Sequence, residues 1–310
     1  MKCCVIGGAG FIGSQLVSRL TETGRDVVVI GNKPTPAATL PKSVAYISCD
    51  YGDSSPIHSA LEDASEVIHL AYATQPQTSY TDPIFDIIGN LPPMITLLEA
   101  ARDRDIRRMI IISSGGTVYG PVERLPISED FPTNPISPYG ITKLTIEKYS
   151  MMFFHFYSLP VIIIRPSNAY GTGQRPFNGQ GFIATAIGSI LKGKDIMVYG
   201  EHGTIRDYIH VSDVCNGIIA ALDQGQPGEI YNVGSGIGLN NLEVLEIISG
   251  IAEKRNLIAK IKFMPSRIFD VPANILDCKK LSACSAWKPS IPISQGIMEM
   301  WKTLEPDSSI

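Results

Sequence analysis

Short runs of branched apolar residues alternate with amphipathic stretches along the first half of the chain. "KCCVIGG" leads into "GSQLVSRLTETG" and then "DVVVIG". "SVAYISCD" precedes "SPIHSALED" and "EVIHLAY". "PPMITLLEAARDRDI" precedes "RRMIIISS", and "YGITKLTIEKYSMMFFHFY" precedes "PVIIIRPSNAYG". Runs that are apolar at consecutive positions are strands buried on both faces, and helices between them make the sheet parallel. The pattern predicts an α/β fold with a doubly wound parallel sheet. From residue 171 glycine-rich loops mix with helices and short strands ("IMVYG", "DYIHV", "EIYNVG"). Residues 1–170 are expected to form one domain, with strands returning to it from about 205–235. Residues 171–310 are expected mainly in a smaller C-terminal α/β domain.

Composition narrows the partners. The chain of 310 residues is long enough for a large core, and its net charge of −4 comes without a long charged run. That argues against nucleic acid as a partner. No CxxC pair or zinc-like cluster occurs among Cys3, Cys4, Cys49, Cys215, Cys278 and Cys284, which fits a reduced cytoplasm. His202 and His210 show no metal-ligand pattern. The apolar start "MKCCVIGGAGFIG" runs into a glycine loop without a cleavage site, so it reads as a first strand. No apolar stretch is expected to reach the ~18 residues of a membrane span.

"VIGGAGFIGS" ends that first strand and opens a helix. Gly7, Gly10 and Gly13 have the spacing of a pyrophosphate loop: a tight turn, close backbone approach to the anion, and close helix–strand packing. A dinucleotide is therefore expected. NAD sites end the second strand with Asp or Glu on the ribose. Here "VVVIGNK" offers Gly31, then Asn32 and Lys33, so NADP stays open beside NAD. Asp50 bonds the adenine amine or is a turn residue before Gly52; the sequence supports both.

Tyr139 and Lys143 stand at i, i+4 and share one helix face. Tyrosine titrates near 10, so a working base needs its phenolate favoured by about 4 kcal/mol to act ~3 units lower. A nearby ammonium and an oxidised nicotinamide supply that kind of stabilisation.

Together "GGAGFIGS", "SSGGTVYG", "SPYGITK" and "RDYIHVSDV" resemble the extended short-chain dehydrogenases/reductases, specifically the nucleotide-sugar epimerases and dehydratases, across nearly the whole chain. The resemblance implies a Rossmann-like N-terminal domain, a nucleotide-sugar-binding C-terminal domain and a cytoplasmic homodimer packing helices near 93–103 and 139–157. Pro92 and Pro93 should delay or kink the first of these. The dinucleotide would contact Gly7, Gly10, Phe11, Ile12, Gly13, Asn32, Asp50, Tyr51, Leu70, Ala71, Tyr72, Asn90, Tyr139 and Lys143. The activity implied is 4-epimerisation of a UDP-sugar by transient oxidation at C4, in surface polysaccharide precursor synthesis, with Tyr139 as base and Lys143 tuning it. The substrate would meet Thr117, Asn168, Tyr199, Arg206, Arg267, Asp270 and Asn274. Arg206 and Arg267 would hold phosphate, Asp270 the ribose, and Tyr199 the base. Asp207 and Asp213 read as loop ligands for backbone N–H groups.

One position departs from the family. A Ser or Thr usually stands four residues before the tyrosine of "VYG", and here that is Gly115. On an extended strand Thr117 would share the face of 115 and Ser114 would point away. Thr117 is the expected replacement, with Ser114 second. Dehydratases carry Asp-Glu after the catalytic Thr; Gly115-Gly116-Thr117 lacks those carboxylates. A dehydratase or decarboxylase, and a non-catalytic dinucleotide-sensing protein, remain the alternatives. Asn274, four residues after Asp270, is small enough to admit an N-acetyl group; it could equally cap a turn and face away.

Overall fold

The computed structural model describes residues 1–305 apart from Tyr51, His202, Ile268 and Phe269, so the expectation for Tyr51 lies outside the described residues. The elements run β1 (Lys2–Ile6), α1 (Phe11–Glu22), β2 (Asp26–Gly31), β3 (Ala45–Ser48), α2 (Ser54–Ala60), β4 (Glu66–His69), α3 (Pro76–Thr81), α4 (Pro83–Arg102), β5 (Arg108–Ile112), α5 (Pro138–Tyr157) and β6 (Val161–Pro166). They continue β7 (Asn168–Tyr170), α6 (Phe182–Leu191), β8 (Asp195–Tyr199), β9 (Ile205–His210), α7 (Val211–Gln224), β10 (Ile230–Val233), β11 (Gly238–Leu239), α8 (Asn241–Glu253), β12 (Lys260–Met264), β13 (Ala273–Asn274), α9 (Lys279–Ser285) and α10 (Ile293–Leu304).

Seven strands form one parallel sheet in the order β10-β6-β5-β4-β1-β2-β3. Strand direction alternates side chains between its faces. Cys3 and Val5 pack with α1 and α7 residues such as Leu16 and Ile218, whereas Cys4 and Ile6 pack with Ile57, Met94 and Ile146 of α2, α4 and α5. Two covered faces explain the uninterrupted apolar runs. The order reverses between β1 and β4, which is where a doubly wound sheet opens its ligand crevice.

One expectation is narrowed and two are corrected. The strand that returns to the sheet is β10, paired with β6; β9 instead lies in a small sheet with β7, β11 and β13. The helix α4 does not wait for Pro92 and Pro93 but starts at Pro83 and runs through both. Asp82 caps it by accepting from the Phe85 amide, and buried Met94, Leu97, Leu98 and Ala101 hold the part beyond the prolines, so tertiary packing outweighs the two lost helix bonds. Finally, α4 has 20 residues and is apolar enough, by length and composition, to cross a membrane. Its first half carries no amphipathic pattern that would mark it as helix in the sequence: Ile84, Phe85, Ile87 and Ile88 are exposed while Asp86 and Asn90 are buried.

Candidate active site

The glycine loop lies at the C-terminal end of β1, at the sheet's reversal point. Gly7 has φ +82°, and a Cβ there would stand 2.7 Å from the Ala71 amide nitrogen. Neither the conformation nor the space admits a side chain. A Cβ on Gly13 would overlap the Gly7 carbonyl oxygen, so α1 rests directly on the loop. Gly10 is the N-cap and offers no side chain to the helix, leaving the amides of Phe11, Ile12 and Gly13 without a side-chain cap. This cradle fits an anionic pyrophosphate at a helix N-terminus. At the end of β2 a Cβ on Gly31 would stand 2.6 Å from the Tyr46 hydroxyl, which itself donates to the Lys33 carbonyl at 2.8 Å. Tyr46 thus takes the space a ribose-binding carboxylate would need. Asn32 follows it, exposed. Asp50 accepts from the Gly52 amide at 3.0 Å, as a turn residue does.

Leu70 and Ala71 continue β4 beside the loop, with the Leu70 amide donating to the Ile6 carbonyl at 2.9 Å. Asn90 does not face the crevice openly. It is fully buried, accepts from the Ala73 amide at 2.7 Å and donates to the Asp86 carbonyl at 2.7 Å. These bonds fix the 70–75 loop that walls the cradle.

Ser137 caps α5, and the next turn carries Tyr139 and, four residues on, Lys143. Lys143 is buried, and its Nζ donates to the Ile112 carbonyl at the end of β5, 2.9 Å away. The rings of Tyr72 and Tyr139 meet edge-to-face with centroids 4.8 Å apart, and Nζ stands 4.0 Å over the Tyr72 ring. Burial pulls Lys143 down to about 7, against the opposing charges of Glu147 and Asp86. Burial and then the charge of Asp86 push Tyr139 well above the usual tyrosine range. The protein alone therefore keeps the phenol protonated, and a base at this position needs added positive charge in the crevice.

Residues 113–118 are not an extended strand. β5 ends at Ile112, and the amides of Thr117 and Val118 both donate to the Ser114 carbonyl, at 3.2 and 3.1 Å, in a helical turn. Ser114 and Thr117 therefore do not lie on opposite faces of a strand, and the turn does not set Thr117 ahead of Ser114. A Cβ on Gly115 would point away, 2.5 Å from Leu276 Cδ1 and 3.0 Å from the Arg165 carbonyl oxygen. Ser114 Oγ and Asn168 Oδ1 instead lie around the Cβ direction of Gly116, at 4.0 and 3.5 Å. Asn274 is buried and donates from Nδ2 to the Gly115 carbonyl at 2.9 Å, so it does not face away as a turn cap. Thr117 Oγ1, Asn168 Oδ1 and Asn274 Oδ1 are all buried and accept no hydrogen bond among the described residues. Buried polar atoms are nearly always satisfied, so these three oxygens, all on or against the 113–118 turn, have hydrogen-bonding capacity left for a ligand.

The far end is cationic and aromatic. The Arg267 guanidinium lies 4.1 Å over the Tyr199 ring and pairs with Asp270 at 2.9 Å. Register between β9 and β13 sets Arg206 beside Asn274. Arg206 donates to the Val271 carbonyl at 2.6 Å, and burial lowers its pKa while Asp270 opposes that. A shallow, open cleft of about 520 Å³ is lined by Gly200 and Glu201, which follow Tyr199 in the chain, and by Phe263 and Met264. Asp207 accepts from the amides of Ser235, Gly236 and Leu276, and Asp213 from those of Ser290 and Ile291, as loop ligands.

The model of the NAD dependent epimerase/dehydratase family matches residues 3–234. The chain belongs to that family. It is similar to the UDP-glucose 4-epimerase of Mycolicibacterium smegmatis, 33% identical over 98% of both chains. Among solved structures, the UDP-glucose 4-epimerase of Thermus thermophilus in complex with NAD gives a TM-score of 0.91 at 31% identity, covering 99% of this chain and 100% of that one. The UDP-glucose 4-epimerase of Thermotoga maritima with UDP-glucose also gives 0.91, at 29% identity and 98% coverage of both.

The sequence reading missed two buried carboxylates beside the pair. Glu147 follows Lys143 by four residues on the same face, a spacing that could have signalled it. It takes two bonds from Arg165, at 2.9 and 2.6 Å, and one from Ser113. Asp86 accepts from Thr74 Oγ1 and is fully buried, with Oδ2 unbonded among the described residues. No local pattern marks it.

Proposed function

We propose that the protein is an NAD-dependent UDP-sugar 4-epimerase, an isomerase. The observation that carries this reading is Tyr139 and Lys143 on one face of α5 at the mouth of the dinucleotide crevice, beside a turn that bears hydroxyls and no carboxylate. The glycine cradle suits the pyrophosphate of NAD, which when bound accepts hydride from the sugar and returns it. Tyr139 Oη takes and gives back the proton of the 4-hydroxyl. The positive charge of Lys143 favours the phenolate. Thr117 or Ser114 holds the sugar oxygen, and Gly116–Thr117, where dehydratases carry their Asp-Glu pair, offers no carboxylate for eliminating water. Arg206 and Arg267 suit the diphosphate, with Tyr199 under the base and Asp270 on the ribose. Incubating the protein with UDP-glucose, UDP-N-acetylglucosamine and UDP-glucuronate and reading products by NMR tests this; no C4 epimer from any of them refutes it.

Among these sugars, the side chain at 274 favours UDP-N-acetylhexosamines. The Asn274 Nδ2 bond to a carbonyl fixes which end of the amide faces the pocket, leaving Oδ1 as an acceptor suited to an acetamido N–H. Asn274→Tyr should suppress turnover of the N-acetylated sugar and spare the plain hexose; equal loss on both refutes the assignment. A homodimer is supported by the exposed Ile84, Phe85, Ile87 and Ile88 of α4 and Ile141, Tyr149 and Phe156 of α5. A monomer mass by light scattering would overturn that part. A cytoplasmic place in surface polysaccharide precursor synthesis accords with this chemistry.

A further inference from the structure

We propose that Tyr72 is a positioning residue for the Tyr139–Lys143 pair, its ring face holding the Lys143 ammonium against the end of β5 and its edge-to-face contact setting the ring of Tyr139. The inference rests on the reading of that pair as catalytic. Three distances define the clamp. Nζ lies 4.0 Å from the Tyr72 centroid but 5.8 Å from that of Tyr139, so its aromatic partner is Tyr72. From the opposite end the Ile112 carbonyl accepts at 2.9 Å. The two tyrosine rings stand 4.8 Å apart and inclined by 64°, the edge-to-face arrangement that aromatic quadrupoles favour. One ring therefore touches both members of the pair.

The position of Tyr72 is itself fixed. It follows Ala71, whose amide abuts Gly7, and precedes Ala73, whose amide Asn90 holds. The same loop that walls the dinucleotide cradle thus carries the ring.

The charged and titratable groups around Lys143 come from four elements. Glu147 and Tyr139 lie on α5 itself, Asp86 on α4, and His69 at the end of β4. Arg165 of β6 occupies Glu147 with two bonds. His69 is driven down to about 3, by burial and then by the charge of Lys143, and so adds no positive charge of its own at neutral pH. A cation over the face of a desolvated aromatic ring is favoured by the ring quadrupole. Without the ring, Lys143 would lose its proton at lower pH.

The test compares Tyr72→Phe, which keeps the ring face, with Tyr72→Leu, which keeps apolar bulk without a quadrupole. Lysine labelled with ¹³C at Cε reports protonation directly by NMR in the ligand-free protein; Lys143→Met identifies its resonance. In Tyr72→Leu the Lys143 midpoint should fall by about one pH unit, a tenfold loss of proton affinity. In Tyr72→Phe it should stay in place. The alkaline limb of kcat against pH should follow the same order. Tyr72→Met replaces the leucine variant if that one does not fold. Equal midpoints in the phenylalanine and leucine variants overturn the proposal. If the midpoints separate as expected while the parent protein epimerises no UDP-sugar, the clamp stands and the catalytic reading falls.

Discussion

Restoring the hydroxyl at Gly115 is the sharpest test of the site. By family pattern Gly115→Ser should help catalysis; by the geometry it should damage the core instead. The new Cβ would meet Leu276 Cδ1 at 2.5 Å, the Arg165 carbonyl at 3.0 Å and Leu276 Cδ2 at 3.2 Å. Leu276 is fully buried with Val118, Tyr119 and Ile127, so it has no solvent to swing into. Overpacking of this kind costs about 1–3 kcal/mol. At about 2–4 °C per kcal/mol in large domains, Tm should fall on the order of 5 °C. Leu276→Ala alone should cost about 2–5 kcal/mol as a cavity. The double variant should be less destabilised than the sum by at least about 1 kcal/mol, because the two changes share one space. Thermal and urea melts of the four proteins measure this, with kcat beside them. A Gly115→Ser protein with unchanged Tm and raised kcat would refute the reasoning, since its hydroxyl would then reach the sugar.

The remaining predictions concern the polar groups. Tyr139→Phe should lower kcat by a factor of ~10²–10⁴ with the fold intact, and near-normal turnover in a folded variant would count against a base role. Thr117→Val should lower kcat more than Ser114→Ala does, yet leave stability unchanged or higher, because its buried Oγ1 is unbonded in the protein alone; loss of both activity and stability points to a structural hydroxyl instead. Lys143→Met should raise Tm with a characteristic pH dependence. Burial lowers the lysine from 10.5 to about 7, so between those values the unfolded chain binds more protons and wild-type stability rises with pH. The advantage of methionine is then greatest at and below pH 7 and closes toward 10.5; a gap independent of pH between 7 and 10.5 sinks the argument.

Where periodicity was strong, the sequence spoke plainly. The central strands β1, β2, β4, β5 and β6 are near-continuous apolar runs because both faces are covered, and they were visible as such. Residues 76–91 were not, because their helices mix exposed isoleucines with buried polar residues and so show no single apolar stripe. Asp86 and Asn90 are buried for the loop they hold, a relation 12 to 17 residues distant in sequence that no local pattern encodes. The glycine loop and the Tyr139–Lys143 spacing were legible because a fixed backbone shape or one helix face dictates them. The turn at 113–118 was misread as strand: its amides fold back on Ser114, and nothing in "SSGGTVYG" fixes that choice without the segment packed behind it.

That segment gives Gly115 its reason. Asn274 and Leu276 are two residues apart, and residues so spaced on an extended chain share a side. Both meet Gly115: Asn274 by its bond to the carbonyl, Leu276 by the methyl that occupies the Cβ direction. The surrounding chain is locked by the Ile127 amide donating to the Ile275 carbonyl and the Asp277 amide to the Ile127 carbonyl, each at 2.8 Å. A side chain at 115 would lift this segment off the turn and carry Asn274 with it. The glycine is thus a notch into which the C-terminal region docks, and the unbonded oxygen of Asn274 owes its position beside the turn to it. On the proposed reading of Asn274, loss of the usual hydroxyl and choice of substrate would be one structural event. Gly115→Ser should for that reason disturb discrimination between N-acetylated and plain sugars as well as stability, whereas a change confined to the pocket, such as Thr117→Val, should slow both sugars alike.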